Sequence, residues 1–271
     1  MIEHHFITYK NSRLHYKKEG DAQEVLLCFH GYGWNCYNFD YIMPALLTKY
    51  TVYSFDLFAH GESEWNENHE LSLDDFKNIF NQFFQSNSTS TFSVLGYSLG
   101  GRWATTLLHQ FDTRTKELYL IAADGLQELT IVDILSKLKQ TNKIIGYFIE
   151  HPNLVFGGIK MGYYLGMIDK EAMTFYLEKN ATKEKRALLM KRILLCKNLL
   201  MPKEELTLKI RRNNISLHLF YGTHDLIMPV MLTATLTKAF GEKVLHKIDD
   251  DHLLILKPKL LEAIMKVLTQ K

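Results

Sequence analysis

The sequence predicts an α/β protein, a doubly wound and mostly parallel sheet that carries a helical insertion near its middle. Short, almost continuously apolar segments recur along the chain, as is typical of parallel strands covered on both faces. Helical patterns separate these segments. Between 126 and 205 only helical patterns occur, and strand patterns resume afterwards. We therefore predict a core formed by residues 1–125 and 206–271, with 126–205 inserted as a helical cap.

The predicted strands are short and end at polar or glycine-containing loops. Residues 2–9 and 12–18 are predicted to form a hairpin across the polar turn Lys10-Asn11-Ser12. The remaining strands are predicted at 24–30, 50–56, 92–97, 117–123, 215–222 and 243–249.

Helices are predicted after most of these strands. Ser72 is the predicted N-cap of one of them, because its side chain can accept a hydrogen bond from the first helical turn. Within the insertion, the glycine-rich stretch Phe156–Gly166 is expected to interrupt the helices and to form a mobile entrance. The helices of the core are predicted at 38–49, 72–85, 99–111, 230–240 and 257–268.

Composition excludes several classes of protein. The chain has 271 residues, of which 46% are hydrophobic and 23% charged, unlike disordered, collagen-like or disulfide-scaffold proteins. A net charge of +2 gives no reason to expect nucleic acid or an anionic membrane as a partner. The cysteines, Cys28, Cys36 and Cys196, form no disulfide framework, and the lipophilic region 144–168 is interrupted by polar residues. We expect a soluble, cytoplasmic protein without a membrane-spanning segment, and its oligomeric state stays open.

The strongest chemical signal is the pattern G-x-S-x-G, formed by Gly96-Tyr97-Ser98-Leu99-Gly100 between a predicted strand and a predicted helix. In this context the serine lies on a sharp, strained turn, and the two glycines lack side chains that would collide around it. The N-terminus of the following helix places unpaired N–H groups near developing negative charge. We therefore predict Ser98 as a nucleophile.

A serine hydroxyl needs a base, and the base needs an acid that orients it. Asp225 and His252 each follow a predicted strand, and residues just past the carboxyl ends of parallel strands gather at one edge of the sheet. We predict that they complete a triad with Ser98. Asp124 and the acids 249–251 are alternatives for the acid. Immediate neighbours of His252 are poorly placed to bond its ring, and Asp124 suits a loop or cap role.

Four motifs together resemble the α/β-hydrolase superfamily over nearly the whole chain: FHGYG at 29–33, FDLFAHGES at 55–63, GYSLGG at 96–101 and the Asp225/His252 pair. The resemblance is to the serine-nucleophile, esterase-like branch with a helical cap. It implies an oxyanion hole made by the backbone N–H groups of Tyr32 and Leu99, where each donor contributes ~10²–10³ in rate, and a structural role for His30.

The sequence departs from this family at two positions. Ala59 stands where the family usually has glycine, which bears on the conformation of that loop. Asp251 precedes His252 where the family often has glycine. The segment GYSLGGR also resembles the elbow of a menaquinone-pathway lyase, which implies that Arg102 holds an anionic substrate; the alternative is a cation on the helix surface.

These residues support three functional hypotheses. The leading one is a serine hydrolase that cleaves a carboxylic ester or related small acyl compound through an acyl-enzyme on Ser98. The second is a lyase or C–C-bond hydrolase that uses the same triad on an anionic substrate, and the third is a non-catalytic ligand receptor. Phe156 and Tyr163 are predicted to contact the substrate from the cap. No cofactor is implied, and Cys28-x-His30 is too short for a metal site.

Overall fold

The fold is built on one sheet of eight strands. The computed structural model describes residues 2–126, 141–166 and 170–269. The strands are β1 (Ile2–Tyr9), β2 (Ser12–Glu19), β3 (Glu24–Phe29), β4 (Tyr50–Phe55), β5 (Phe92–Tyr97), β6 (Thr115–Ile121), β7 (Ser216–Gly222) and β8 (Leu245–Ile248). Their order in the sheet is β1-β2-β4-β3-β5-β6-β7-β8. Strand β2 is antiparallel to both of its neighbours, β1 and β4, and all other pairs are parallel.

Helices cover both faces of this sheet, as a doubly wound fold requires. The described helices are α1 (Met43–Leu46), α2 (Leu73–Ser86), α3 (Gly100–Gln110), α4 (Thr141–Glu150), α5 (Pro152–Tyr164), α6 (Lys170–Lys179), α7 (Lys183–Leu195), α8 (Lys203–Arg212), α9 (Ala234–Phe240) and α10 (Pro258–Thr269). One apolar cluster joins the sheet to α2, α3 and α8, and a second joins it to α1 and α10. The strands are therefore buried from both sides, which explains their continuous apolar character.

The predicted fold class is confirmed. Both ends of each predicted strand lie within two residues of the corresponding ends of an observed strand. Helix α2 begins as predicted, because the Ser72 hydroxyl accepts a hydrogen bond of 3.0 Å from the Asp75 amide and the Asp75 carboxylate accepts in return from the Ser72 amide. This reciprocal capping pair satisfies two amide groups at the helix N-terminus.

The predicted helix over 38–49 is wrong. The chain instead forms a 3₁₀ turn at Cys36–Phe39 and then the single turn α1. Pro44 explains the break, because its ring would collide with a carbonyl one turn earlier and it has no N–H to donate. The predicted helix over 230–240 likewise begins as a 3₁₀ turn, Val230–Thr233, before α9.

Between β6 and β7 the described residues form the helices α4 to α8, and the predicted glycine-rich interruption is wrong. Helix α5 runs through Gly157, Gly158 and Gly162 without a break and ends before Gly166, whose φ of +70° is left-handed. The parts of the predicted insertion at 127–140 and 167–169 lie outside the described residues. The lipophilic region divides at His151 between α4 and α5, and within the described ranges no helix is long and apolar enough to span a bilayer.

Candidate active site

Ser98 occupies a sharp turn between β5 and α3 and has a left-handed φ of +49°. Two close approaches make this turn possible. A Cβ on Gly96 would lie 2.6 Å from the Gly100 carbonyl oxygen, and one on Gly100 would lie 1.9 Å from the carbonyl oxygen of Phe29. Only glycine fits either position. The Ser98 amide donates a 3.0 Å hydrogen bond to Ile121 on the neighbouring strand, which fixes the turn to the sheet.

The structure brings Ser98, His252 and Asp225 together in one line of hydrogen bonds. Ser98 Oγ lies 3.0 Å from His252 Nε2, and His252 Nδ1 lies 2.8 Å from Asp225 Oδ2. All three side chains are buried. The second oxygen of Asp225 accepts the backbone amides of Ile227 and Met228, at 2.9 and 2.8 Å. A neutral His252 that donates its Nδ1 proton to Asp225 has Nε2 available to accept the Ser98 proton.

The alternative acids have other partners. Asp124 accepts a 2.6 Å hydrogen bond from Arg102 Nε, although its backbone amide bonds the Ser98 carbonyl nearby. Asp249 pairs with Lys259 at 2.9 Å. Asp251 Oδ1 accepts the backbone amide of Leu253 at 2.8 Å. None of these hydrogen bonds reaches the His252 ring.

The segment Gly31–Trp34 forms a β-turn beside Ser98, which we call the Gly31 turn. The Trp34 amide donates to the Gly31 carbonyl at 3.3 Å, and Gly33 has a φ of +75°, as the third residue of a type II turn requires. Within the described part of the chain, the amides of Tyr32 and Leu99 donate to no acceptor. Tyr32, Ser98 and Leu99 all line the same cleft.

A neutral His30 holds this turn in place through hydrogen bonds of its ring. Its Nε2 accepts the Leu57 amide at 3.0 Å, and its Nδ1 donates to the Gly31 carbonyl at 2.7 Å. Burial lowers the pKa of His30 to about 4, so the ring is uncharged at neutral pH. Nearby Ala59 has a left-handed φ of +62°, so the loop keeps the conformation for which the family usually has glycine.

A cleft of about 360 Å³ opens onto Ser98. Apolar side chains from α5 and α7 face it together with residues of the core. Its lining consists of Tyr32, Ser98, Leu99, Asp124, Val155, Ile159, Tyr176, Asn180, Leu189, Ile193, Ile227, Met228 and His252.

Side-chain atoms of types that bind metals gather elsewhere in the described part of the chain, around His15. One group is His4, His15 and Glu62, and the other is His15, Cys36 and Asp56. The His15 ring already bonds His4 at 3.0 Å and Asp56 at 2.8 Å. Burial alone would raise the pKa of Asp56, but hydrogen bonds from His15 and backbone amides hold it below its usual value. We assign no cofactor to these groups, which include no residue of the Ser98 cleft.

Residues 24–258 match the family defined by the alpha/beta hydrolase fold. The chain belongs to this family. The matched range includes Ser98, Asp225 and His252 and extends across the helices between β6 and β7. The sequence-based recognition of the superfamily is thereby confirmed, and the protein is an alpha/beta hydrolase.

Individual proteins that resemble this chain share only limited sequence identity with it. The pimeloyl-[acyl-carrier protein] methyl ester esterase of Legionella pneumophila (strain Lens) is 27% identical over 178 residues, which cover 61% of this alpha/beta hydrolase and 69% of that protein. An uncharacterized protein of Mycobacterium tuberculosis (strain ATCC 25618 / H37Rv) is 27% identical over 134 residues, covering 49% of this chain and only 39% of its own length. Among solved structures, a hydrolase from Pseudomonas aeruginosa PA01 is similar in fold, with a TM-score of 0.66, 17% identity and coverage of 99% and 98%.

The structure does not bring the three predicted substrate-binding residues to the cleft of this alpha/beta hydrolase. Arg102 is 1% exposed and forms an ion pair with Asp124, so it is neither a surface cation nor directed at the cleft. Phe156 lies about 100° around α5 from the helix face that lines the cleft, and Tyr163, one turn beyond Ile159, does not line it. Val155 and Ile159 occupy that face instead. Their spacing of four residues was a usable signal, because residues i and i+4 share a helix face.

Proposed function

We propose that this alpha/beta hydrolase is a serine esterase that cleaves carboxylic esters or related acyl compounds through an acyl-enzyme on Ser98. The observation that carries the proposal is the hydrogen-bonded line from Ser98 Oγ through His252 to Asp225. Each member has the contact that its role needs, because the Ser98 hydroxyl lies within hydrogen-bond distance of His252, and His252 lies within hydrogen-bond distance of the buried carboxylate of Asp225.

In the proposed reaction His252 Nε2 takes the proton as Ser98 Oγ attacks the carbonyl carbon. The oxyanion of the tetrahedral intermediate would accept hydrogen bonds from the N–H groups of Tyr32 and Leu99, each contributing ~10²–10³ in rate. The C–O bond to the alcohol then breaks, and His252 gives its proton to the departing oxygen. Water, deprotonated by the same His252, attacks the acyl-enzyme and releases the acid.

We further propose that 126–205 acts as a cap on a core of 1–125 and 206–271, and that the cap contributes the acyl-binding side of the cleft. The volume of about 360 Å³ lies within the range of small-molecule sites. The lining from α5 and α7 consists of Val155, Ile159, Leu189 and Ile193. Such a surface favours an uncharged, aliphatic acyl group.

The position of Arg102 and the Ser98–His252 hydrogen bond favour the ester hypothesis over its alternatives. A lyase or C–C-bond hydrolase acting on an anionic substrate was predicted from Arg102, whose guanidinium is buried and paired with Asp124. Without Arg102 at the cleft, that hypothesis has lost its specific support. A non-catalytic receptor would have no use for the hydrogen-bonded Ser98–His252 pair.

The test is labelling with a fluorophosphonate, followed by mass spectrometry of the labelled peptide and assay on p-nitrophenyl esters of graded chain length. We expect a single adduct on Ser98 and loss of at least ~10⁴-fold in turnover for Ser98→Ala. Ser93→Ala is the matched control, since Ser93 is a buried serine on the same strand. An adduct on another serine, or esters left intact by the wild type, would reject the proposed function.

A further inference from the structure

The ammonium group of Lys179, at the C-terminal end of α6, contacts the Gly31 turn. Lys179 Nζ donates a 2.8 Å hydrogen bond to the carbonyl oxygen of Gly33. Burial and the nearby Arg192 lower the pKa of Lys179. The hydrogen bond therefore lies in a partly desolvated place, where an ionic donor to a carbonyl is strengthened.

The contact is tight on both sides of Lys179. A Cβ placed on Gly33 would lie only 3.3 Å from the Lys179 methylene carbons. Lys179 Nζ lies 5.1 Å from the centre of the Phe175 ring, which itself stacks on Trp34 at 5.5 Å with an interplanar angle of 17°. Both residues that follow Tyr32 in the turn are thus covered by α6.

The neighbouring helix α7 contacts the Tyr32 ring and the loop around Ala59 through Arg192. Arg192 Nε donates a 2.8 Å hydrogen bond to the Ala59 carbonyl, and its guanidinium lies 5.9 Å from the centre of the Tyr32 ring. Of these two cap cations, Lys179 is the one bonded to the backbone of the turn.

We propose that Lys179 is a positioning residue for the oxyanion hole: its bond to Gly33 fixes the turn in the conformation that directs the Tyr32 N–H at the substrate oxyanion. This inference rests on the proposed function of Ser98 and adds a role for the cap in catalysis, beyond lining the acyl site. Gly33 gives the reason that an anchor is needed. Glycine populates positive and negative φ about equally, so the turn has little intrinsic preference for the observed form.

Loss of the Lys179–Gly33 hydrogen bond should raise the energy of the transition state more than that of the bound substrate. A displaced Tyr32 N–H stabilises the oxyanion less, whereas the acyl cleft, which binds the ground state, keeps its lining. For Lys179→Met, which keeps the apolar stem and removes the charge, we expect kcat to fall about 10- to 100-fold with KM changed less than about threefold. The rate of fluorophosphonate labelling should fall in parallel.

The experiment compares Lys179→Met with Lys185→Met and Lys179→Arg. Lys185 is the matched control, because its ammonium bonds the Glu178 carbonyl at 2.9 Å within the cap. We expect wild-type kcat for Lys185→Met and partial recovery for Lys179→Arg. In a further assay of Lys179→Ala, propylammonium added to the buffer supplies the carbons and the ammonium group that the variant lacks. Recovery of kcat with propylammonium and none with propanol is the expected result.

The outcomes separate this inference from the function on which it rests. If the wild type is labelled at Ser98 while Lys179→Met keeps kcat and labelling rate within twofold, the positioning role is overturned and the esterase proposal stands. If kcat falls only together with a large loss of melting temperature, and propylammonium restores nothing, Lys179 is structural and the inference also fails. Faster amide hydrogen exchange at Trp34 in Lys179→Met is expected and does not depend on any substrate.

Discussion

The hydroxyl of Tyr97 donates a 3.0 Å hydrogen bond to the backbone carbonyl of His252, so the residue before Ser98 helps to hold His252 in place. Their rings also stack, with centres 5.8 Å apart. On the opposite side Gly31 approaches so closely that a Cβ there would lie 2.8 Å from the Tyr97 ring. Tyr97 therefore links the Gly31 turn, Ser98 and His252 in one packed unit. Burial raises its pKa, which keeps the phenol a neutral donor.

Replacement of Tyr97 by phenylalanine tests this link. The ring and its stacking remain, but the buried His252 carbonyl loses its donor, so we expect the free energy of unfolding to fall by ~1–2 kcal/mol. We expect kcat to fall by about 3- to 10-fold, a loss of ~1 kcal/mol or slightly more. Urea unfolding and steady-state ester assays measure the two effects. Tyr9→Phe is the control, because the hydroxyl of Tyr9, on the β1–β2 hairpin, bonds Asp75 of α2, outside the Ser98 cleft; it should cost stability and leave kcat unchanged.

Asp225→Asn tests which carboxylate orients His252. Both Asp225 oxygens are engaged, one with the His252 ring and the other with two backbone amides, and an asparagine cannot satisfy all of these donors. We expect kcat to fall by about 10⁴-fold through the wrong imidazole tautomer.

The matched variant is Asp124→Asn, which weakens the buried ion pair with Arg102. Removing one charge of a buried ion pair is destabilising, so we expect a lower free energy of unfolding with kcat largely retained. Steady-state kinetics beside chemical unfolding distinguish the two. Near-normal kcat in Asp225→Asn together with inactivity of a folded Asp124→Asn would transfer the role to Asp124.

Ala59→Gly probes the departure of this chain from the usual family loop. The left-handed φ of +62° costs an alanine ~1–2 kcal/mol, and glycine avoids this strain but loses ~0.4–1 kcal/mol to the greater freedom of the unfolded chain. We expect a net gain of ~0.5–1 kcal/mol in the free energy of unfolding. Ala187→Gly, on an exposed face of α7, should instead cost ~1 kcal/mol. Equal losses in both variants would mean that the Ala59 loop is not strained.

The sheet and the Ser98–His252–Asp225 arrangement were predictable from sequence because both follow from local patterns and one topological rule. Buried parallel strands are continuously apolar, and residues past their carboxyl ends meet at one edge. Ser98, Asp225 and His252 directly follow or lie just beyond β5, β7 and β8. Their hydrogen bonds agree with the prediction, while their catalytic roles stay a proposal.

What the sequence did not predict depends on packing between distant segments. Arg102 on α3 forms an ion pair with Asp124, which lies just after β6, and no local pattern reveals an ion pair of this kind. Phe156 and Tyr163 were selected as aromatic residues, without regard to the phase of Phe156 on α5 or to how far along α5 the cleft extends. Helix α5 itself includes Gly157 and Gly158, although each glycine costs a helix ~1 kcal/mol relative to alanine, so glycine content alone did not predict where a helix is interrupted.

The rotation of α5 about its axis, which places Val155 and Ile159 at the cleft, leads to a prediction on the length of the acyl chain. Val155 and Ile159 face the Ser98 cleft, so changing their size changes the room for the acyl chain. Ile159→Trp should shift the preferred p-nitrophenyl ester to a shorter chain, and Ile159→Ala to a longer one. Each methylene gained or lost is worth ~0.8 kcal/mol, or about fourfold in kcat/KM.

Tyr163→Ala is the matched control on the same helix. Its side chain is 36% exposed and does not line the cleft, so the profile of kcat/KM against chain length should coincide with that of the wild type. Melting temperatures of all three variants show whether a change reflects the cleft or the stability of the cap. If Tyr163→Ala moves the optimum while both Ile159 variants keep it, the acyl group binds near the C-terminal end of α5 instead, and the cleft described here is not the acyl site.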